Sequence, residues 1–233
     1  MNRVIALVVV TLVCFAGSAN AQIRRQQAAQ GPPAYWGSVG VGAFSANSVS
    51  DGESMSTWDF GNATSLQYRA SLEKAFSNGI ALGLAGTYVK APLRYSNFGS
   101  GPGGTGATCF SPCDAEADVY SLGINFEAGG GQGFHQVYGA SVGMTRYANF
   151  ERKSDGEQLA PTSAVNELSG SFSYGFGYRL SPRTVIVGVY DIGLVYHGRD
   201  GLSSDQRNTL VPRTIRVGLR QGFGNQAPVR RRR

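Results

Sequence analysis

The sequence predicts an all-β protein: an eight-stranded antiparallel up-and-down transmembrane β-barrel. Two observations predict it: long segments of alternating apolar and polar residues, and connections that are alternately long and short. In residues 165–180, even positions from Leu168 to Leu180 are apolar, aromatic or glycine, whereas odd positions are small or charged. Side chains alternate between the two faces of a strand, so one face is apolar and the other polar. The segment exceeds the usual globular strand of about 5–6 residues and suits a tilted strand that crosses a membrane.

Eight segments carry this pattern. In the second, Leu66 and Tyr68 alternate with Gln67 and Arg69. The seventh segment is apolar on both faces, so the pattern does not show which of its residues face outward. In chain order the predicted strands are 35–45, 65–76, 79–90, 115–127, 134–147, 165–180, 183–197 and 209–223.

The connections between these segments fall into two classes. Tight turns rich in Gly, Asn, Ser or Pro occupy 77–78, 128–133 and 181–182. Strict alternation with long loops places every short turn, and both termini, at one end of the barrel. Bacterial outer-membrane barrels have this polarity, with periplasmic turns and extracellular loops. The long loops are 46–64, 91–114, 148–164 and 198–208.

A closed barrel follows from the cost of an unpaired backbone group in lipid, which is several kcal/mol. Eight strands leave a lumen narrow enough for side chains to fill. The rival fold is a soluble exported barrel or sandwich, lipocalin-like, with its apolar face inward. Alternation does not distinguish the inner face from the outer one. The long strands, the Tyr and Phe residues near strand ends and the Arg and Glu residues on the polar face favour the membrane.

The N-terminus predicts a secretory signal peptide, residues 1–21. Arg3 is the positive residue, an apolar stretch follows over 4–16, and Ala19-Asn20-Ala21 fits the cleavage rule. The apolar stretch is too short for a transmembrane anchor. We interpret 22–34 as a short periplasmic arm, 35–223 as the outer-membrane barrel and 224–233 as a basic tail. The tail ends in Arg230 to Arg233, and it is either solvated or docks on anionic membrane or acidic partners.

Cleavage removes Cys14 and leaves Cys109 and Cys113 in a CFSPC segment. An even pair of cysteines in an exported chain favours a disulfide, and free thiols are the alternative. A metal site needs further ligands, and the neighbouring sequence has no histidine or third cysteine. We therefore expect no metal and no cofactor.

The composition argues against nucleic acid as a partner, and it is rich in glycine. The net charge of +6 is modest and forms no basic stripe with interleaved aromatics, so nucleic acid is not expected as a partner. Glycine accounts for 33 of 233 residues. Much of it falls at alternate strand positions, where it leaves room on a crowded interior face.

From residue 35 to 223 the chain resembles the small eight-stranded outer-membrane barrels, such as the OmpA transmembrane domain and OmpX-like proteins. The resemblance rests on pattern and loop order. It implies a monomer in the outer membrane of a Gram-negative-type bacterium, in contact with lipid and lipopolysaccharide. It also implies that the barrel assembly machinery reads the aromatic Phe223 at the end of the last strand. The chain departs from the pattern because residues 224–233 follow Phe223.

The polar face carries charged residues that point into the lumen of a membrane barrel. Buried charges must pair there, because unpaired buried charge is costly. One interpretation is a salt-bridged plug that holds the barrel rigid, and the other is a gated ion path. Both make Arg216 and Arg220 partners of glutamates. The predicted lumen charge network is Arg69, Glu73, Glu127, Glu167, Arg179, Arg216 and Arg220.

Lys90 and Arg146 have the parity of the apolar face but lie at the predicted extracellular ends of their strands. Such a cation binds lipopolysaccharide phosphate while its stem lies on lipid, or it is solvated because the strand has already ended.

For function, we expect a structural or surface-interaction role through the four long loops. The alternative is a narrow channel or a carrier for small molecules. An enzyme is not expected. His135 and His197 are the only histidines. His197 lies near Asp200 and Ser203-Ser204, which suggests a rim site like that of lipid A-modifying barrels, but no motif of those enzymes is visible.

Overall fold

The computed structural model describes residues 31–61, 64–76, 79–97, 107–198 and 209–226. Within these ranges the protein is all β, and no helix is long and apolar enough to span a membrane. The strands are β1 (Tyr35–Ser45), β2 (Ser48–Asp51), β3 (Ser56–Asp59), β4 (Ser65–Ala75), β5 (Ile80–Asn97), β6 (Cys113–Gly129), β7 (Phe134–Arg152), β8 (Val165–Ser181), β9 (Thr184–Tyr196), β10 (Thr209–Leu210) and β11 (Arg213–Phe223).

Eight of these strands form a closed antiparallel barrel in the order β1, β4, β5, β6, β7, β8, β9 and β11. The first and last strands pair directly, from Tyr35 opposite Phe223 to Ser45 opposite Arg213. Each barrel strand pairs with its neighbour in sequence, as short turns require. The predicted fold class is therefore confirmed. The end with short turns is termed the turn end, and the opposite end the loop end.

The outer face of the barrel is apolar. Val39, Leu122 and Ile215 are 62%, 65% and 67% exposed, whereas inward-facing Glu73 and Asn125 are only 1% and 3% exposed. On β6 the outward residues run from Tyr120 through Leu122 and Ile124 to Phe126, so aromatics flank an aliphatic centre. An apolar exterior flanked by aromatics is typical of a bilayer-spanning barrel, and it excludes the lipocalin-like alternative.

Several strands are longer than the sequence pattern predicts. β5 continues to Asn97 instead of ending at residue 90, and β7 continues to Arg152 instead of 147. Beyond the bilayer, outward positions such as Arg94 and Asp114 are charged and inward positions such as Tyr95 are apolar, so the alternation changes phase although the backbone ladder continues. The backbone hydrogen bonds between the strands do not depend on apolar outward side chains, so the strands continue into water.

Two loops also differ from expectation. The first long loop contains the hairpin of β2 and β3, and β3 pairs with the extension of β5. The predicted strand 209–223 is split into β10 and β11 at Val211-Pro212. Pro212 interrupts it because proline has no N–H to donate to a ladder. The signal peptide, the turn 77–78 and the arginine tail lie outside the described residues.

The main apolar core lies at the loop end, inside and above the barrel mouth. It is termed the cap and is formed by residues from the β2–β3 hairpin, the extensions of β5, β6 and β7, and the loop after β7. Trp58, Tyr95 and Tyr147 are its largest fully buried members. A smaller valine cluster with Trp36 fills the turn end.

One strand pair depends on glycine for its close approach. Gly123 on β6 faces Gly143 on β7. A Cβ on Gly143 would lie 2.1 Å from the carbonyl oxygen of Leu122 and 2.4 Å from the Cα of Gly123, so the backbones would have to separate.

We predict that Leu122→Arg destabilises the folded barrel in lipid vesicles by about 2–4 kcal/mol, because it places a charge at the bilayer centre. Urea unfolding, monitored by gel mobility with and without boiling, measures the change. Phe110→Arg is the matched control, since Phe110 is 74% exposed but lies in a loop. Equal stability of the two variants would contradict a lipid-facing outer surface.

We predict that Gly143→Ala costs about 1–3 kcal/mol because its methyl group overpacks the strand pair. Gly188→Ala is the control, since a Cβ there meets nothing within 4 Å. The same urea titration compares the variants, and an unaltered midpoint for Gly143→Ala would disprove the packing argument.

Candidate functional site

The lower half of the lumen holds a charged cluster centred on Arg220. Its Nη2 donates to Oε2 of Glu73 at 2.7 Å, and its Nη1 forms an ion pair with Oε1 of Glu127. The guanidinium carbon also lies 5.0 Å from the ring centroid of Trp36. The ion pairs of Arg220 thus join β11 to β4 and β6 across the lumen, and the contact with Trp36 adds β1.

Asn125 connects this cluster to a second arginine. Its amide donates to Oε1 of Glu73 at 2.7 Å, and its carbonyl oxygen accepts from Nη2 of Arg69 at 2.8 Å. The hydroxyl of Ser71 also donates to Glu73, at 2.9 Å. The buried Glu73 carboxylate is therefore satisfied by an arginine, an amide and a hydroxyl, as a buried charge requires.

A third arginine pairs with a residue that the sequence analysis did not identify. Arg216 Nε donates to Oδ2 of Asp191 at 2.6 Å, and Ser173 donates to the same carboxylate. The expectation of a glutamate partner therefore holds for Arg220 and needs correcting for Arg216. Asp191 was missed because β9 is apolar on both faces. It is the one charged residue of that strand, and an isolated charge in an apolar strand is a signal for an inward position.

The structure brings together five of the seven predicted network residues and separates the other two. Arg179 lies at the turn end and donates to the carbonyl of Pro182 at 3.2 Å. Glu167 lies at the loop end, within the cap. The assembled cluster contains three arginines and three carboxylates, so its charges balance: Arg69, Arg216 and Arg220 with Glu73, Glu127 and Asp191.

Glycine on β1 makes room for these long side chains. Gly42 lies opposite Arg216, and a Cβ there would lie 2.8 Å from the Arg216 Cβ and 2.6 Å from Cγ2 of Thr214. This explains in part why the chain places glycine at alternate strand positions.

A cavity of about 100 Å³ lies between the charged cluster and the cap. Arg69 and Asp191 contribute to its charged lining, and Ser121, Ser141 and Ser171 are among its hydroxyl-bearing residues. Its volume and polarity suit several water molecules or a small polar solute.

The cap closes the lumen above this cavity with aromatic side chains. Trp58 of β3 packs against Phe150 and Tyr147, with ring centroids 4.6 Å and 5.8 Å apart. Its indole N–H donates to the hydroxyl of Ser56 at 2.7 Å. The indole is thus buried without leaving its donor unsatisfied.

His197 lies inside the cap instead of on the surface. Its Nδ1 pairs with Oε1 of Glu167, and its Nε2 lies 3.8 Å from Oδ1 of Asp51. Burial lowers the pKa of His197, but the carboxylates of Asp51 and Glu167 outweigh it and raise the pKa to about 9. The sequence analysis treated His197 as a rim residue beside Asp200 and Ser203-Ser204, which lie outside the described residues.

Of the remaining predicted site residues, Lys90, Arg146 and Phe223 are exposed, whereas Cys109 is buried in the cap. Lys90 Nζ pairs with Glu116, whereas Arg146 is exposed and has no ion pair within the described ranges. Cys109 and Cys113 form a disulfide with their Cα atoms 5.9 Å apart. Phe223 ends β11 with an exposed ring, and its carbonyl accepts from the Ala34 N–H at 2.9 Å.

The described residues contain no group of three or more His, Cys, Asp or Glu placed to hold a metal ion.

Comparison with solved structures identifies the fold. Neisserial surface protein A (NspA) matches with a TM-score of 0.52 and 13% identity over 83% of this chain and 100% of that chain. OprG, an outer membrane protein from Pseudomonas aeruginosa, matches with a TM-score of 0.48 and 12% identity over 83% of this chain and 98% of that chain. Ail, the attachment invasion locus protein of Yersinia pestis, matches with a TM-score of 0.37 and 13% identity over 79% of this chain and 97% of that chain.

The match to NspA shows that this chain has the fold of the small eight-stranded outer-membrane barrels. No protein-family model and no curated protein sequence matches the chain.

We predict that Arg220→Met destabilises the barrel by about 3–5 kcal/mol, because Glu73 and Glu127 lose their cation while buried. Urea unfolding in vesicles measures the effect. Adding Glu127→Gln to that variant should restore much of the stability, since two arginines then face two carboxylates in the cluster.

Arg146→Met is the matched control, because Arg146 is exposed, and it should shift the free energy of unfolding by less than about 0.5 kcal/mol. If Arg220→Met were as stable as this control, the cluster would not hold the barrel together.

Proposed function

We propose that the chain is an outer-membrane protein whose barrel is a closed, non-conducting scaffold for an extracellular interaction surface. The observation that carries this proposal is the double closure of the lumen. The charged cluster blocks the lower half, and the aromatic cap blocks the mouth. A solute crossing the barrel would have to displace both.

The shape of the loop end supports a role in surface interactions. β5, β6 and β7 extend beyond the apolar belt at the loop end, and the β2–β3 hairpin adds to this wall through β5. The disulfide and two hydrogen bonds restrain the segment that carries the exposed Phe110. The Cys109 N–H donates to Oδ1 of Asn97 at 2.6 Å, and the Asn97 N–H donates to the Cys109 carbonyl oxygen at 3.1 Å. A rigid scaffold that displays loops is a common arrangement for binding.

We further propose the location and partners that the sequence suggests. The precursor is exported with a cleaved signal peptide, and the mature monomer lies in the outer membrane of a Gram-negative-type bacterium. Phe223 serves as the assembly signal. Arg146 is the better candidate for a lipopolysaccharide phosphate, because Lys90 is already paired with Glu116.

A narrow channel or carrier is the second candidate function, and the polar cavity favours it. The cavity is an existing solvent-sized space in the lumen, and it would become part of a path if both closures opened. Catalysis has less support: His197 is buried between two carboxylates in the cap, so a substrate has no access to it.

We predict that the wild-type barrel, reconstituted in planar bilayers at pH 7, shows no unitary conductance steps, because both closures are intact. A parallel vesicle sample that shifts in gel mobility on boiling verifies that the barrel is folded. Reproducible conductance from such a sample would reject the closed scaffold in favour of the channel.

A further inference from the structure

The turn end of the barrel carries cations on its surface, whereas its carboxylates face the lumen. Lys74 points outward near the end of β4, and Arg183 lies in the turn between β8 and β9. In the described part of this end, the carboxylates are those of Glu73 and Glu127, and both are buried and paired with Arg220. The outer surface of the described turn end is therefore cationic.

Three neighbouring side chains mark the level of the membrane surface at this end. Tyr35 of β1 lies opposite Lys74 of β4 on one side and opposite Phe223 of β11 on the other. All three are exposed, and Tyr35 and Phe223 are 48% and 50% accessible. Aromatic rings at the ends of membrane-spanning strands lie at the level of the lipid headgroups, where a lysine stem can lie on lipid and its amine in the polar layer.

The segments that precede β1 and follow β11 leave the barrel together at this place. The Ala34 N–H donates to the Phe223 carbonyl at 2.9 Å, and the Gln226 N–H donates to the Pro32 carbonyl at 2.9 Å. The Ala34 carbonyl accepts from the Ala75 N–H at 2.8 Å. The two segments therefore start side by side, next to the end of β4.

Arg183 places a second cation on the other side of this exit point. Its carbonyl accepts from the Gly222 N–H at 2.7 Å, and its guanidinium donates to Oδ1 of Asn225. Since β4 and β9 are the outer neighbours of β1 and β11, Lys74 and Arg183 flank the strand pair from which both segments leave. We term Tyr35, Lys74, Arg183 and Phe223 the basic seam.

The sequence adds six arginines to the two segments that leave the seam. Arg24 and Arg25 precede Pro32 by eight and seven positions, and Arg230 to Arg233 follow Gln226 by four to seven. An eight-residue segment reaches at most about 28 Å, so all six arginines stay near the seam. No Asp or Glu occurs in 22–50 or in 206–233, so neither segment carries a carboxylate side chain that could neutralise them.

We propose that the basic seam and its two arginine-bearing segments bind the phosphate headgroups of anionic phospholipids in the leaflet at the turn end. The inference rests on the membrane location stated under Proposed function. Lys74 lies between aromatic rings on the lipid-facing surface, at the depth of headgroup phosphates. An acidic polymer in the aqueous compartment would meet the arginines but would not explain a cation at that position.

The expected strength follows from the number of cations. Each Lys or Arg near an anionic membrane surface strengthens the association about fivefold. The attraction falls off over about 10 Å at 0.1 M salt, so binding should weaken as the salt concentration rises.

Lipid retention measured by native mass spectrometry tests the proposal. The mature chain is folded in vesicles of equimolar phosphatidylglycerol and phosphatidylcholine with identical acyl chains, then extracted in mild detergent. The two lipids differ in headgroup mass, so the spectrum gives the ratio in which they remain bound. Wild type should retain phosphatidylglycerol in about tenfold or greater excess, and extraction in about 0.5 M ammonium acetate should reduce that excess.

Charge variants localise the binding. Lys74→Gln should lower the ratio of phosphatidylglycerol to phosphatidylcholine about fivefold, and glutamine at all four positions 230–233 should lower it by more than about tenfold. Lys153→Gln is the matched control, since Lys153 is an exposed lysine at the loop end, and it should leave the ratio unchanged.

The outcomes separate this inference from the proposed function. A folded wild-type barrel that retains the two lipids equally would overturn the lipid site, and so would a decrease in Lys153→Gln as large as that in Lys74→Gln. Equal lipid retention together with salt-sensitive binding to purified peptidoglycan would assign the arginines to an acidic polymer instead. Absence of a gel-mobility shift on boiling would contradict the membrane barrel itself.

Discussion

Closure of the sheet between β1 and β11 is the constraint on which the rest of the structure depends. Lipid offers no hydrogen-bond partners, so the backbone groups of Tyr35 through Ser45 must pair with those of the last strand. Closing eight strands then makes the lumen narrow, and every inward side chain must fit within it. The apolar exterior, the inward glycines and the paired interior charges are consequences of this closure.

The narrow lumen is closed in two chemically different ways. In the lower half, Arg220, Glu73 and Glu127 hold the walls together by charge. At the mouth, Trp58 and its aromatic neighbours exclude water, and His197 lies between the carboxylates of Glu167 and Asp51. A small polar cavity separates the two closures. This double closure is the basis of the closed scaffold that we propose.

Sequence reasoning succeeded where one local pattern carries the information and failed where two patterns overlap. Leu122 and its outward neighbours mark their strand because lipid demands apolar side chains there. Beyond Lys90 that demand ends, and the buried residues Ala91, Leu93 and Tyr95 face inward, so the alternation changes phase and does not continue the pattern of β5. Asp191 was not predicted as a lumen residue because Val187 and Val189 make the inner face of β9 as apolar as the outer face. The burial of His197 was not predicted because nothing in its local sequence distinguishes a buried histidine from a loop histidine.

The sequence by itself determined the number of barrel strands, the order of short turns and long loops, and the segregation of apolar from charged residues onto two faces. These properties are local, since alternation and turn composition act over a few residues. Only the tertiary structure decided that Arg220 meets Glu73, 147 positions away in the chain, that Arg216 takes Asp191, and that Asp51 reaches His197. Such contacts depend on the register and tilt of distant strands and on how loops fold over the mouth, which no local pattern encodes.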